Sequence, residues 1–436
     1  MFSRLKLYFG NKRVTKILFL IFFLALALRL FGIWHGMPFV YNEDEPALVR
    51  SAVGIRFDPN PGHFDWPHFH FYLTFGVLVF FYLVRGFIQV VGLQSALMQI
   101  IPIFWKDPAI YYLITRIFNA FLGALTVIPI YLTGKVLFGG LGDSPKPGFA
   151  KEKAKLWDRS LKLSFEELAK PALYAPLLSA LAFALIPFHV KDSHVATIDV
   201  PMVFWLSWSV YFAARILMRR RSPEALCEGG LRDYIFAGVF AGLAASTKYN
   251  GIMILLVVAI AHFLRILREV TAGETSEVRS AKTSEVKEAV GELPVLTKVI
   301  FSPKLAVSGL IALFVFFLGT PFSLLDWETF WSYDYPQGVL WQFQNVGSVT
   351  SFVEYFANFK RLVWTEFLPV DLSWPFYLIF LFTIGEFVYL ILNKKPTRGK
   401  TSEVKSAKTP EVGESGWPVN SVGNLTTLAF LLIFPI

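Results

Sequence analysis

The chain has 436 residues, 55% of them hydrophobic and only 17% charged, and its 45 Phe exceed what one aqueous core can hold. That composition excludes an ordinary soluble domain and gives an all-α polytopic membrane protein, since the apolar runs have the length of spanning helices. The formal charge of +9 does not indicate a nucleic-acid partner, because most Lys and Arg stand at the ends of apolar runs, where the positive-inside rule accounts for them.

Arg4, Lys6, Lys12, Arg13 and Lys16 precede the first apolar run, Lys16 to Trp34, so the N-terminus is expected inside, with this run a retained anchor. Its outer end delivers Phe39 to Leu48, FVYNEDEPAL, with the consecutive carboxylates Glu43, Asp44 and Glu45. From His35 to His68 the chain is rich in Gly, Pro and polar residues, as in an extracytoplasmic loop with aromatic anchors. Apolar stretches follow at Phe69 to Val91 and at Ile110 to Phe138, the latter with Arg116 near its start.

The insert at 139–170 carries seven Lys or Arg against five Asp or Glu, with Trp157, Leu161, Phe165 and Leu168 at helical spacing. It reads as a basic cytoplasmic segment on the inner leaflet. Two further spans, Pro171 to Val190 and Val200 to Met218, flank KDSHVATIDVP, and Arg219, Arg220 and Arg221 mark the inner end of the second. Asp44 and Asp199 then lie outside with three apolar segments between them, and an odd number of crossings cannot return the chain to one face. Phe69 to Val91 is therefore expected to lie at the interface or to re-enter; the alternative is that it crosses and the insert is outside.

Asp233 to Lys248 and Asn250 to Leu267 form a hairpin of spans whose turn, STKYNG, faces out. The segments 271–304 and 394–421 are low-complexity cytoplasmic loops, with the near-duplicate phrases TSEVRSAKTSEVKEA and TSEVKSAKTPEVGES. Between them come a span at Leu305 to Thr320, a large aromatic outer loop at 321–373 and a span at Trp374 to Leu392. A last apolar run from Val422 ends at Ile436, too short to cross, so a C-terminal part is expected to be missing from this 1–436 module.

Ionisable groups at membrane depth are costly, which makes those near the spans functional candidates. They gather on the outer face: Asp44, Glu45, His68, His70, Arg116, His189, Lys191, His194, Asp199, Lys248, Lys360 and Arg361. Acids among several cations suit a transferase acting on a lipid-linked phosphate, with a carboxylate taking the acceptor proton and cations holding the leaving phosphate. Bland roles stand beside these. Asp44 also suits a hydrated loop or a helix N-terminus, Glu43 solvent, Asp199 an N-cap before Pro201, Arg116 a structural pair, Lys248 interfacial snorkelling, and His189 and His194 interfacial packing. Trp327, Trp331, Tyr333, Trp341 and Trp364 suit a headgroup belt or a lipid cavity. The acids and histidines are also donors for a divalent metal, but at no recognisable spacing, so no required cofactor is expected.

YNEDEPALVRSA, NPGHFDWPHFHFYL, the Arg116 span, PFHVKDSHVATIDVPMVFW and GLAASTKYNG together resemble the polyprenyl-phosphate-sugar glycosyltransferases of the GT-C superfamily. They are most similar to the protein O-mannosyltransferases and the lipid A aminoarabinose transferase. GTPFSLLDWETF resembles the start of the later outer loop of those families. The resemblance implies a bundle of about nine or more transmembrane helices with interfacial helices in the first outer loop. It implies Asp44 as general base, Glu45 as its support, Asp199 as a second acid of the same cavity, and Arg116 and Lys248 as cations of the site. Trp66, Pro67 and His68 stand where those families write HPP or KPP, and His68, His194 and Arg361 complete the candidate substrate-binding set.

The resulting expectation is an inverting glycosyltransferase of the cell membrane, multi-pass, with its site outside. It would move a mannose-like sugar from polyprenyl phosphate to a protein or lipid hydroxyl. A transporter or lipid flippase using the same acids as ion sites is the alternative; no repeat of spans supports it.

Overall fold

The computed structural model describes residues 12–90, 109–139, 171–218, 230–266, 302–334 and 338–345. Apart from 137–139 these belong to one compact unit, Met1–Val136 with Lys162–Val346. Arg361, Lys360, the spans after residue 373, nearly all of the basic insert and most of both low-complexity loops lie outside the described residues.

Helices account for nearly all described segments. They are α1 (Lys12–Leu30), α2 (Asp44–Gly54), α3 (Phe69–Val90), α4 (Ala109–Leu125), α5 (Val127–Gly139), α6 (Pro171–Leu185) and α7 (Pro187–Asp192). There follow α8 (Asp199–Met218), α9 (Leu231–Thr247), α10, which opens on a 3-10 turn and spans Tyr249–Ile266, and α11 (Pro303–Gly319). Short helices α12 (Phe322–Leu325), α13 (Trp327–Phe330) and α14 (Val339–Asn345) come last. Among the described residues four helices are long and apolar enough to cross a membrane: α3, α4 with α5, α8 and α10. This is an all-α membrane protein.

The larger helices pack as a row of neighbours, α6 on α1, α1 on α4, α4 on α8, α8 on α9 and α9 on α11. Small residues make the last contact close. A Cβ on Gly238 would sit 2.4 Å from the Ser308 carbonyl oxygen, and one on Gly242 2.5 Å from that of Ala312, so both glycines let the backbones of α9 and α11 approach as helices do in membranes. Lipid-facing sides remain apolar, as Phe19, Leu20 and Phe23 on α1 and Leu310, Phe314 and Leu318 on α11 show by their exposure.

Helix α3 is the segment that the crossing count singles out. Its length and apolarity suffice for a span, yet its contacts run antiparallel to α4. His70 meets Asn119 and Tyr82 meets Tyr111 through their side chains. The helix thus starts beside the middle of α4, one turn from Arg116, and runs back toward the N-terminal end of that span. That direction is shared by a segment lying along the interface and by the first arm of a hairpin of two crossings.

Candidate functional site

Helix α2 carries the acid cluster in its first turn, where carboxylates meet the positive end of the helix dipole. Asn42 Oδ1 accepts a hydrogen bond from the Asp44 backbone N–H at 2.9 Å. Successive helical residues point about 100° apart, so neighbouring acids have different surroundings. Glu43 and Asp44 are exposed, and Glu45 is fully buried.

Glu45 is held on all sides. Arg116 donates from Nε to Glu45 Oε1 at 2.6 Å and from Nη2 to Oε2 at 2.7 Å, while the backbone N–H of Ala196 donates to Oε1 at 2.7 Å. Arg116, 1% exposed, also donates from Nη1 to the carbonyl oxygens of Ile33 and His35 at 3.0 and 2.9 Å. A forked guanidinium and carboxylate with every neighbour satisfied is the form in which two charges survive burial. It fastens α2 to α4, to the turn after α1 and to the segment preceding α8.

Asp199 and Lys248 form a second pair, at 2.5 Å, with side chains 42% and 36% exposed. Asp199 opens α8, and Lys248 sits in an extended conformation between α9 and the 3-10 turn (φ −149°, ψ 131°). Gly251 lets that turn fold tightly on α9, since a Cβ there would lie 2.5 Å from the Ala244 backbone.

Asp44 faces this pair. Its carboxyl is raised from the ordinary value, first by partial burial and next by the Asp199 charge, with Lys248 opposing and Glu43 adding to the rise. Asp192 is raised likewise, by burial first and then by Asp199. Asp44, Asp199 and Lys248, from three distant stretches, thus share one exposed edge, while Glu45 and Arg116 lie beneath it.

His68 and His194 lie in the surrounding loops, His70 in α3 and His189 in α7. His68 is fully buried, stacked on Phe64 at 4.6 Å, and donates from Nε2 to the His63 carbonyl oxygen at 2.8 Å. Burial pushes it down to about 4, so it is a neutral imidazole at physiological pH. Its backbone N–H donates to Thr320 Oγ1 at 3.3 Å, joining the segment before α3 to the end of α11. His194 Nε2 donates to the Phe31 carbonyl oxygen at 2.9 Å, and its ring lies edge-on to His35. His189 is buried against Arg29, which reaches its Nδ1 at 3.0 Å and the Ala184 carbonyl oxygen at 3.1 Å. His70 contacts Asn119.

The side chains of Tyr249, Phe316, Phe317, Trp327, Phe330 and Trp331 line an apolar hollow of about 220 Å³. Tyr249 donates its hydroxyl to the Phe64 carbonyl oxygen at 2.7 Å. Two of the aromatics expected as a belt or a cavity, Trp327 and Trp331, therefore line such a space. Among the described residues no group of three or more His, Cys, Asp or Glu side chains is placed to hold a metal ion.

Two polar residues that the sequence reading passed over are central to this geometry. Arg29 is fully buried inside the first apolar run, and Asn119 is fully buried one turn after Arg116. Both stood out only as polar letters within apolar text, the signal that intramembrane polarity provides.

Comparison with curated proteins and with solved structures gives no match. Residues 168–325, from the start of α6 to α12 and including Asp199 and Lys248, match the family model of dolichyl-phosphate-mannose-protein mannosyltransferase. That family lies within the GT-C superfamily, and its match bears out for this stretch the resemblance read from the sequence and indicates a membrane glycosyltransferase.

Proposed function

We propose that the chain transfers mannose or a related sugar from a polyprenyl-phosphate donor to an extracytoplasmic protein or lipid hydroxyl, with inversion and with Asp44 as general base. The observation that carries this reading is the convergence of Asp44, Asp199 and Lys248 on one exposed edge, in a chain whose apolar hollow is lined by Tyr249, the residue after Lys248. A carboxyl raised from its ordinary value accepts a proton more readily than a free one, provided it is ionised when the acceptor arrives.

In this mechanism the acceptor hydroxyl gives its proton to the Asp44 carboxylate as its oxygen attacks the anomeric carbon. The bond between that carbon and the phosphate oxygen breaks on the opposite side, and its electron pair leaves with the polyprenyl phosphate. Lys248 neutralises the departing charge, with Asp199 as its partner at rest. The aromatic hollow suits the hydrocarbon of the carrier. Glu45 and Arg116 hold the helix turn that presents Asp44. His68 and His194 shape the loops around the site, and Arg361 is retained as a further cation for the phosphate. The reaction as written requires no cofactor.

The test is transfer of radiolabelled mannose from polyprenyl-phosphate mannose to a synthetic peptide rich in Ser and Thr, by the purified full chain. Asp44→Asn is expected to abolish transfer; full activity in that variant sinks the assignment of the base.

A further inference from the structure

Helix α4 grips the segment that precedes Asp199 directly at Val195 and Thr197, and through Glu45 of α2 at Ala196. Asn119 donates from Nδ2 to the carbonyl oxygens of Val195 at 3.0 Å and of Thr197 at 2.7 Å. Between them, the Ala196 N–H donates to Glu45, which Arg116 of the same helix holds from one turn away. The path of 195–197 is therefore specified by side chains rather than by regular secondary structure. Gly123, a further turn along, allows the approach, since a Cβ there would stand 2.7 Å from Ser193 Oγ and 3.1 Å from Val200.

An amide can grip two carbonyls only with its nitrogen turned toward them. His70 sets that orientation, because its Nε2 lies 3.2 Å from Asn119 Oδ1. Facing a carbonyl-type oxygen, Nε2 is the donor, which leaves Nδ1 of His70 without a proton and, in this buried site, without a hydrogen-bond partner. The ring lies flat on Phe118 at 5.7 Å, which fixes its plane. His70 and Asn119 are fully buried, so neither touches a substrate.

We infer that Asn119, oriented by His70, is a positioning residue that sets the spacing between Asp199 and Asp44 by holding the 195–197 backbone. The inference rests on the function proposed above for the purpose it gives that spacing, while the structural part stands without it. A relaxed segment lets Asp199 withdraw from Asp44.

His70→Phe is the sharp variant, because it keeps the ring stack on Phe118 and adds no polar group to a membrane protein, yet removes the donor that orients the amide. The full chain in lipid nanodiscs is assayed with polyprenyl-phosphate mannose and the Ser and Thr peptide. His70→Phe is expected to lower kcat several-fold with the donor KM unchanged. The acid limb of its kcat/KM profile moves to lower pH, because Asp199 helps to raise Asp44. His70→Gln, which supplies an N–H in place of Nε2, restores both. A merely structural loss lowers the active fraction without moving the pH profile.

A second readout does not depend on activity. Spin labels at Arg50 on α2 and Lys191 on α7, both exposed, with Cys227 replaced by Ser, report the spacing of the two gripped elements. The distance distribution broadens in His70→Phe and narrows again in His70→Gln. Broadening without any transfer activity in the parent chain keeps the positioning role and removes the function proposed. Unchanged distances with an unchanged pH profile in His70→Phe overturn the inference.

Discussion

Two ion pairs of this protein, one shut away and one part-exposed, border the same edge and suit opposite kinds of work. Glu45 and Arg116 are shut away from solvent, joined by a two-pronged contact and tied to three backbone groups. Asp199 and Lys248 are joined by a single short contact and remain more than a third exposed. A buried pair with every neighbour satisfied cannot exchange partners without leaving a naked charge, so it serves as a fastening. An exposed pair can trade one partner for an incoming anion at little cost, because solvent already screens much of the attraction. Similar charges are therefore locked in one place and free to exchange partners in the other, and burial makes the difference.

Breaking the fastening has the largest expected effect. Arg116→Ala leaves the Glu45 carboxylate buried and unpaired, a loss of about 3–5 kcal/mol, read as a collapse of the thermal unfolding transition in detergent. Arg116→Lys recovers only part, since an ammonium cannot reproduce the fork. At the reactive edge, Asp44→Asn leaves that unfolding transition in place and lowers transfer by about 10²–10⁴-fold, the range of a removed general base.

The buried side of the comparison can also be titrated. His68, held at about 4 in the folded chain against an ordinary value of 6.5, must gain a proton more easily once unfolded. Its contribution to stability is therefore present above pH 6.5 and is lost as pH falls toward 4. His68→Phe is accordingly expected to flatten, without abolishing, the fall in unfolding temperature over that range.

On the exposed side the pH response concerns rate. Asp199→Asn removes a charge that raises Asp44, so the acid limb of kcat/KM moves to lower pH. Lys248→Ala removes a charge that lowers it, and the limb moves up. Opposite movements in a full pH profile sharpen the assignment, and movement in the same direction contradicts it. The smallest expected effect is on stability, where Lys248→Ala costs about 0–1 kcal/mol by chemical unfolding, while raising the KM for the donor.

Much of this was legible in the text of the chain and some was not, for reasons of phase and distance. Apolar runs of membrane length announced the helices, Phe69 to Val91 among them. Asp199 and Lys248 were legible as charges at the ends of spans. The division between Asp44 and Glu45 was not, because it depends on the rotational phase of a helix whose inward face only α4 and the 195–197 segment define. Glu45 and Arg116 are 71 residues apart, and no local spacing announces such a pair. The role of the 195–197 segment was least legible, since it is gripped through its backbone and any side-chain sequence can supply those atoms. Asn119 and Arg29 each left one polar letter in an apolar stretch, which is a signal without an address.

The first turn of α2 also constrains the order in which its letters can be written. A peptide with Asp and Glu exchanged at positions 44 and 45 keeps composition, net charge and every motif defined by acid content. It would present the longer acid outward and ask the shorter one to reach Arg116 and the Ala196 N–H from the same backbone position. One methylene would be missing from the tether that closes the interior and one added to the arm that reaches the exposed edge. The dipeptide thus behaves as a measured step across the boundary between protein and water, in which length and sequence order are as much a part of the site as charge.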